Sequence, residues 1–108
     1  MDMADGRARC SLALKDFHLN NGGRIHGGVL SSLADTSAGM AVRTLRPEGR
    51  LSATTDLSIA FIRPPQGDAL LAEAEVIHAG KRLYRVAVKI VSAGKLVATC
   101  SATFMLVN

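Results

Sequence analysis

Apolar and polar positions alternate along most of this chain, but one central segment follows a different pattern. Alternation with a period of two predicts β-strands over residues 7–16, 51–63, 69–79, 82–92 and 96–107. From about Gly27 to Leu45 the residues are mostly Val, Leu, Ala, Ser, Met and Thr, without proline, which predicts a helix of about five turns. The sequence Arg46-Pro47-Glu48-Gly49 then ends the helix.

The order of these elements predicts the fold class. One strand and one helix are followed by four strands, and the short links at 80–81 and 93–95 are expected to be hairpin turns. Strands joined in this way pair antiparallel. We therefore predict an α+β fold with one long helix and a sheet of about five antiparallel strands. No linker or repeat divides the sequence, so residues 1–108 are expected to form a single domain.

Only two charged residues, Asp35 and Arg43, interrupt the predicted helix. A helix that is apolar nearly all round is expected to be buried nearly all round, which a sheet curled around it would achieve. A carboxylate in that position is costly to bury unless another group pairs with it or uses it. Asp35 therefore lies on a thin solvated stripe, makes a structural hydrogen bond, or is a reactive carboxylate in a cleft.

The start of the helix carries a second candidate site, in the sequence Asn20-x-x-Gly23-x-x-His26-Gly27-Gly28. The two adjacent glycines place bare backbone N–H groups at the positive end of the helix dipole. Such groups can polarise a carbonyl as an oxyanion hole does. A purely steric need for glycine and a structural role for His26 are the alternatives.

The spacing of Gly27 and Asp35 has a geometric consequence. Eight residues along a helix correspond to about 12 Å. A base and an oxyanion donor must each lie about 3 Å from the atoms they serve. One helix cannot present both groups to one bond, so a site that uses both requires a homodimer with two sites across its interface.

Composition limits the classes of function. The net charge of +4 suits an anionic partner, but a chain with one Tyr and no Trp lacks a stacking platform for nucleic acid. Cys10 and Cys100 lie in no disulfide or metal-ligand spacing, which predicts two reduced, half-buried thiols and no metal site. No signal peptide or membrane-spanning apolar run is visible, so a cytoplasmic protein with no membrane partner is expected.

Together these motifs resemble the hotdog-fold acyl-CoA thioesterases of the phenylacetic acid degradation (PaaI) type. The resemblance covers about residues 6–107. It is carried by Asn20, Gly23, His26-Gly27-Gly28, Leu33-Ala34-Asp35-Thr36, the segment from Ala53 to Pro64 and the hairpin His78-Ala79-Gly80-Lys81-Arg82. It implies a long central helix wrapped by a curved antiparallel sheet, in a homodimer that often pairs into a homotetramer.

The resemblance also implies an activity and a role for each residue. The activity is hydrolysis of a small, medium-chain or aromatic acyl-CoA to a free acid and CoA. Asp35 matches the general base or nucleophile, and Gly27 matches the amide that polarises the thioester carbonyl. Asn20 matches a residue that orients the water or the thioester, Thr54 a hydroxyl that holds the water, and His26 a residue that shapes the loop.

Binding of CoA is implied for a further set of residues. These are Gly28 at the helix start, Arg63 after a strand and Lys81 and Arg82 in a hairpin, although basic residues there can also simply keep strand edges soluble. CoA enters as part of the substrate, and no separate cofactor is expected. The chain departs from its relatives by starting almost at the first strand, which predicts a more open acyl pocket. It also has Gly39 where some relatives carry a hydroxyl.

Two other functions fit the sequence. One is a non-catalytic module that binds acyl-CoA or another small ligand. The other is a hydratase or dehydratase on the same fold, which would pair a catalytic His with an acid in a different arrangement. Nucleic-acid binding rests on net charge alone, and the motifs of serine hydrolases, phosphate-binding loops and zinc proteases are absent.

Overall fold

The computed structural model describes residues 2–15, 26–65 and 67–107. Its elements are β1 (Asp2–Ala4), β2 (Arg7–Ala13), α1 (Gly27–Arg43), β3 (Ser52–Phe61), β4 (Ala69–Ala79), β5 (Leu83–Ser92) and β6 (Lys95–Leu106). The strands form one sheet in the order β1-β2-β4-β5-β6-β3, with every neighbouring pair antiparallel. The predicted α+β class, with one long helix against a curved antiparallel sheet, is confirmed.

In residues 2–15, 26–65 and 67–107 the sheet has six strands rather than the predicted number of about five, because β1 was missed. β1 and β2 form a hairpin whose two-residue turn is Asp5-Gly6. Both turn residues have positive φ, 53° for Asp5 and 80° for Gly6, as a type I′ turn requires. An Asp-Gly pair is a strong hairpin signal, but the three residues before it are too few to show alternation.

The end of α1 is tied to this first hairpin. The helix stops at Arg43, two residues before the predicted end, and Thr44 caps it. The Thr44 hydroxyl donates a hydrogen bond to the Ala41 carbonyl at 2.7 Å and accepts one from the Gly6 amide at 2.6 Å. A polar side chain thus satisfies a helix carbonyl and fixes the helix end against the sheet.

The hydrophobic core lies between one side of α1 and the inner face of the sheet. The alternation that predicted the strands also identified this face, since Tyr84, Val86, Val88 and Ile90 are all buried. In β6 every second residue is buried too, namely Ala98, Cys100, Ala102, Phe104 and Leu106, and Leu96 is half-buried. No helix in residues 2–15, 26–65 or 67–107 has the length and apolarity needed to cross a membrane.

The opposite side of α1 is uncovered in the single chain. Gly28, Ser32 and Thr36 follow one another at four-residue intervals and are exposed, with half-buried Val29 and Leu33 beside them. The expectation that the helix is buried nearly all round is therefore wrong for one chain. The reason is that the sheet passes along only one side of the helix.

The strand β3 forms an edge of the sheet. Among the described residues it pairs with β6 alone, and seven of its ten residues are exposed. Natural proteins usually shorten, cover or pair such a long edge, because its free backbone groups can add another strand. The uncovered helix side and the free edge of β3 are the two surfaces of this chain that most need a partner.

Candidate active site

The carboxylate of Asp35 is paired with a hydroxyl from the sheet. Asp35 is half-buried at the middle of α1, and Thr54 Oγ1 donates a hydrogen bond to its Oδ1 at 2.7 Å. Thr54 lies opposite the buried Phe104 in the β3–β6 register. Directly opposed residues share a face of the sheet, so Thr54 points to the helix side. The structure therefore brings together two residues that the sequence analysis selected for catalysis.

A β-bulge in β3 separates Asp35 from the other nearby acid. The register shifts between Thr54 and Asp56, which inserts Thr55 as an extra residue. Asp56 then faces the outer side of the sheet, where its Oδ2 lies 3.5 Å from Arg85 Nη1. The bulge turns Asp56 away from the helix side of the sheet, whereas Asp35 stays bonded to Thr54 on that side, a distinction that strand alternation alone could not provide.

The start of the helix carries free backbone donors. His26 is the N-cap, with extended φ −61° and ψ 135°, and no side chain of the described residues makes a capping hydrogen bond there. The Val29 amide bonds to the His26 carbonyl at 3.0 Å. The amides of Gly27 and Gly28 come too early in the helix to find a helix carbonyl as acceptor. Both residues are exposed. This end of α1 can therefore accept a carbonyl oxygen or an anion.

Phe61, at the end of β3, lies over this helix start and was not selected from the sequence. A Cβ placed on Gly27 would lie 3.2 Å from Phe61 Cζ, whereas a Cβ on Gly28 would meet nothing within 4 Å. A Cβ on Gly27 would therefore require only a small shift of the exposed Phe61 ring, and a Cβ on Gly28 would have free space among the described residues. Phe61 is 56% exposed, so it forms one open wall beside the amides.

The structure does not bring Gly27 and Asp35 together within one chain. Both lie on the continuous helix α1, as predicted, and eight residues separate them by about 12 Å along its axis. His26 is exposed at the N-cap position. The proposed role of Asn20 falls on a residue outside the described ranges.

The basic residues predicted to bind CoA lie at two ends of the sheet. The Arg63 amide bonds to the Val97 carbonyl just beyond the end of β3. The Arg82 carbonyl accepts the Leu106 amide at the other end of the sheet, near the beginning of β3. Leu106 pairs with Ser52, and β3 runs nine steps from there to Phe61, about 30 Å. Arg63 therefore cannot share a ligand's phosphates with Lys81 and Arg82 of the same chain.

The two cysteines are more buried than predicted and unreactive in character. Cys10 is 3% and Cys100 5% exposed, and both are free thiols. Burial raises the pKa of both thiols above the ordinary value of 9.0, and the carboxylates of Asp35 and Asp56 raise the pKa of Cys100 further. Both remain protonated at neutral pH, so neither is suited to act as a nucleophile.

Among the described residues, no group of three or more His, Cys, Asp or Glu side chains is placed to hold a metal ion.

Comparison with known sequences identifies a family. The sequence model of the thioesterase superfamily matches residues 22–99. A Halobacterium salinarum protein named as a candidate esterase is 37% identical over 84 residues, which cover 73% of this chain and 55% of that protein. Human acyl-coenzyme A thioesterase 13 is 29% identical, over 88% of this chain and 69% of its own. The chain thus spans little more than half the length of the Halobacterium protein.

Solved structures share the whole fold. The conserved protein PA5202 of Pseudomonas aeruginosa has a TM-score of 0.94 at 33% identity, over 99% of this chain and 86% of its own. The BH2602 protein of Bacillus halodurans, solved with CoA, has a TM-score of 0.89 at 29% identity, over 93% and 67%. Escherichia coli PaaI has a TM-score of 0.88 at 31% identity, over 96% and 75%. The resemblance to the hotdog-fold thioesterases seen in the sequence is thereby confirmed, and this chain belongs to the thioesterase superfamily.

Proposed function

We propose that this protein hydrolyses an acyl-CoA thioester as a homodimer with two equivalent sites. Each site combines Asp35 and Thr54 of one protomer with Gly27 of the partner subunit. The observation that carries this proposal is the hydrogen bond from Thr54 to Asp35, at 2.7 Å, on the uncovered side of a helix whose own uncapped amides are about 12 Å away. Among the described residues the helix-start amides are too far away to serve Asp35 within one chain, and a second copy of the chain would supply the donor at the right distance.

The chemistry follows from these groups. Asp35 accepts a proton from a water molecule, and the water oxygen attacks the thioester carbonyl carbon. The carbonyl oxygen becomes an oxyanion, which accepts a hydrogen bond from the partner's Gly27 amide at the positive end of a helix. The carbon–sulfur bond then breaks, the acid is released, and CoA leaves as a thiolate. A thiolate is a good leaving group, so no serine nucleophile is required.

We prefer the route through water over direct attack by Asp35. Thr54 donates a hydrogen bond to Asp35 Oδ1 and so fixes the carboxylate, whose second oxygen can then accept a proton from water. A single turnover in ¹⁸O-labelled water tests this step. The water route places the label in the released acid. Label found in the Asp35 carboxylate, with unlabelled acid, would instead establish a covalent anhydride.

The dimer accounts for both unsatisfied surfaces of the chain. Antiparallel pairing of β3 with a second β3 continues the sheet and satisfies its free backbone groups. The same twofold axis lays the exposed side of α1 against the partner's α1, with Gly28, Ser32 and Thr36 covered. Small residues on that stripe allow the two helices to approach closely.

The dimer also brings the separated basic residues together. In an antiparallel β3 pair, the Phe61 end of one strand lies beside the Ser52 end of the other. Arg63 of one protomer then approaches the partner's Lys81 and the partner's Arg82, which one chain holds about 30 Å away from it. Three basic side chains at one mouth suit the phosphates of CoA. The CoA in the Bacillus halodurans structure and the name of the human relative support this substrate class.

The decisive experiment measures release of free thiol from a panel of acyl-CoA substrates by the wild type, Asp35→Asn and Asp56→Asn. The Asp35→Asn variant should lose at least about 10²-fold in kcat, because the proton acceptor is removed. Asp56→Asn is the matched control, since it removes an acid from the outer face of the sheet. Binding of acyl-CoA without thiol release by the wild type would establish a binding module. Conversion of an enoyl thioester without thiol release would establish a hydratase.

A further inference from the structure

A second cluster of polar groups lies at the opposite end of α1 from the uncapped amides. A cavity of about 420 Å³ opens between the end of the helix and the start of β3, and Arg43, Arg46 and Arg50 line it. The turn that follows the helix is closed by a hydrogen bond from the Arg50 amide to the Pro47 carbonyl at 3.1 Å. Gly49, at φ 79°, makes this reversal possible and directs Arg50 back toward the helix.

One nitrogen of the half-buried Arg50 side chain lacks a hydrogen-bond partner. Its Nε atom is buried and has no hydrogen-bond acceptor among the described residues. A buried charged donor without an acceptor is costly, so such donors are normally paired. A ligand acceptor would remove this cost once the half-buried Arg50 side chain turns its Nε toward the cavity.

The neighbouring arginines are also short of acceptors. Arg46 Nη1 donates to Ser52 Oγ at 3.3 Å, a long hydrogen bond to a neutral group. In the part of the chain that the structure describes, the ion pairs are Arg7–Glu75, Arg9–Glu73 and Arg85–Asp56, on the outer face of the sheet. Of the described residues that line the cavity, Glu48 alone carries a carboxylate, against three arginines.

Stabilisation of the helix end does not explain this arrangement. A cation in the last turn interacts favourably with the helix dipole, which accounts for Arg43. Arg50 lies seven residues beyond the helix, and its Nε donates to no helix carbonyl among the described residues. Guanidinium groups present planar pairs of donors that match phosphate oxygens, so a phosphate group is the acceptor that three of them fit best.

The geometry points to a phosphate-binding site formed by Arg43, Arg46 and Arg50, and we propose that it holds a phosphate group of the CoA substrate. This assignment rests on the proposed function. Arg43 is eight residues from Asp35 on the same helix, about 12 Å along its axis. Arg50 is four residues before Thr54, about 13 Å along an extended chain. The arginines thus lie at a distance from Asp35 and Thr54 that the pantetheine chain of CoA, which links the thioester to the phosphates, can span.

The site also joins the basic hairpin. The Leu51 carbonyl accepts the Val107 amide, and the Arg82 carbonyl accepts the Leu106 amide, so Leu51 and Arg82 flank β6 on its two sides. Two strand spacings separate them, about 10 Å. The three arginines and the basic hairpin of Lys81 and Arg82 therefore lie at the same end of the sheet.

The first arm of the test titrates CoA, 3′-dephospho-CoA and inorganic phosphate against the wild type, Arg46→Gln, Arg50→Gln and Arg43→Gln. Arg9→Gln is the control, because it removes an arginine from the outer face. We expect the cavity variants to bind CoA and phosphate about tenfold more weakly or worse, with Arg9→Gln unchanged. Arg43 is exposed, so its variant keeps the test valid if Arg50→Gln is unstable.

The second arm distinguishes the source of the phosphate. If the site holds CoA, the cavity variants raise KM for acyl-CoA at unchanged kcat and leave KM for the matching acyl-pantetheine unaltered. Weakened phosphate binding with an unchanged KM for acyl-CoA would overturn the CoA assignment in favour of a free phosphate ligand. Equal phosphate and CoA binding by the wild type and the cavity variants, or no binding by the wild type, would overturn the site. Absence of turnover by a wild type that still binds phosphate would count against the proposed function instead.

Discussion

The carboxylate of Asp35 and the hydroxyl of Thr54 show how far single residues can be predicted. Both were selected from the sequence, Asp35 because an acid is unusual in an apolar helix and Thr54 through resemblance to a family. Their hydrogen bond could not be predicted, because it depends on a bulge that shifts the register of β3 at Thr55. Phe61 gave no signal beyond its place in a strand, since its contact with Gly27 joins two distant segments.

Thr54 can be tested separately from its neighbour. Thr54→Val removes the hydroxyl that orients Asp35, and kcat should fall by about tenfold or more, in line with the loss of a hydrogen bond to a charged group. Thr54→Ser should retain most of the activity. Thr55→Val is the control, because Thr55 bonds to the Thr103 carbonyl at 3.2 Å rather than to Asp35. Equal losses in the variants of Thr54 and Thr55 would remove the positioning role.

The buried thiols predict a dependence of stability on alkaline pH. The pKa of Cys100 is raised above 9.0 in the folded chain, so the folded state holds this proton more tightly than the unfolded state does. Its contribution to stability is fully present below pH 9.0 and is lost as the pH rises through the folded pKa. Urea unfolding at pH 8 and pH 10 should show a smaller decrease for Cys100→Ala than for the wild type. An identical decrease would contradict this linkage.

At the scale of elements, the alternation of apolar and polar residues predicted the strands that cross the core. It did not predict where some of the strands and the helix end, because specific contacts determine those limits. The strand β4 was predicted with its observed limits, Ala69–Ala79, whereas β2 ends at Ala13 and β3 at Phe61, earlier than expected. Beyond Phe61, the amides of Ile62 and Arg63 both bond to the Val97 carbonyl of β6, so the regular ladder of the sheet stops there although the sequence still alternates. The helix limits depend on the Thr44 cap and its bond to Gly6, which no local pattern contains.

The start of α1 allows the backbone amide to be removed without breaking the helix. Gly27 is the first helical residue, where proline is well tolerated, and His26 already has the extended conformation that precedes proline. Gly27→Pro should lower kcat by about 10²-fold, as expected for the loss of an oxyanion donor.

Gly27→Ala is the matched control for this variant. It keeps the N–H group and adds a Cβ that Phe61 can move to accommodate, because that ring is 56% exposed. Helix content measured by circular dichroism should be equal in the two variants. If Gly27→Ala lost as much activity as Gly27→Pro, contact with Phe61 rather than the amide would be the cause.

At the scale of the molecule, the described residues leave one side of α1 and the edge strand β3 uncovered. The outer face of the sheet carries exposed ion pairs and is suited to contact with water. The sequence predicted a dimer from the distance between Gly27 and Asp35 alone. It could not show that Arg63 and Arg82 lie at opposite ends of the sheet, because this follows from the position of β3 next to β6. Strand order is a property of the whole fold.

The dimer predicts the effect of a charge near its axis. If Gly27 of one helix lies beside the partner's Asp35, the twofold axis passes close to residue 31, next to the exposed Ser32. Ser32→Glu would place two like charges together, so light scattering should show a lower mass and activity should fall with it. Ser101→Glu, on the outer face, should alter neither. An active Ser32→Glu monomer would contradict the shared site.

Complementation between two inactive variants tests the shared site most directly. Asp35→Asn and Gly27→Pro are each inactive as homodimers, but a mixed dimer contains one site with an intact Asp35 from one protomer and an intact Gly27 from the other. Equimolar mixing with exchange of protomers should therefore restore about a quarter of the wild-type activity, since half of the dimers are mixed and each has one working site of two. Failure to restore activity, in a sample shown by mass spectrometry to contain mixed dimers, would contradict the account.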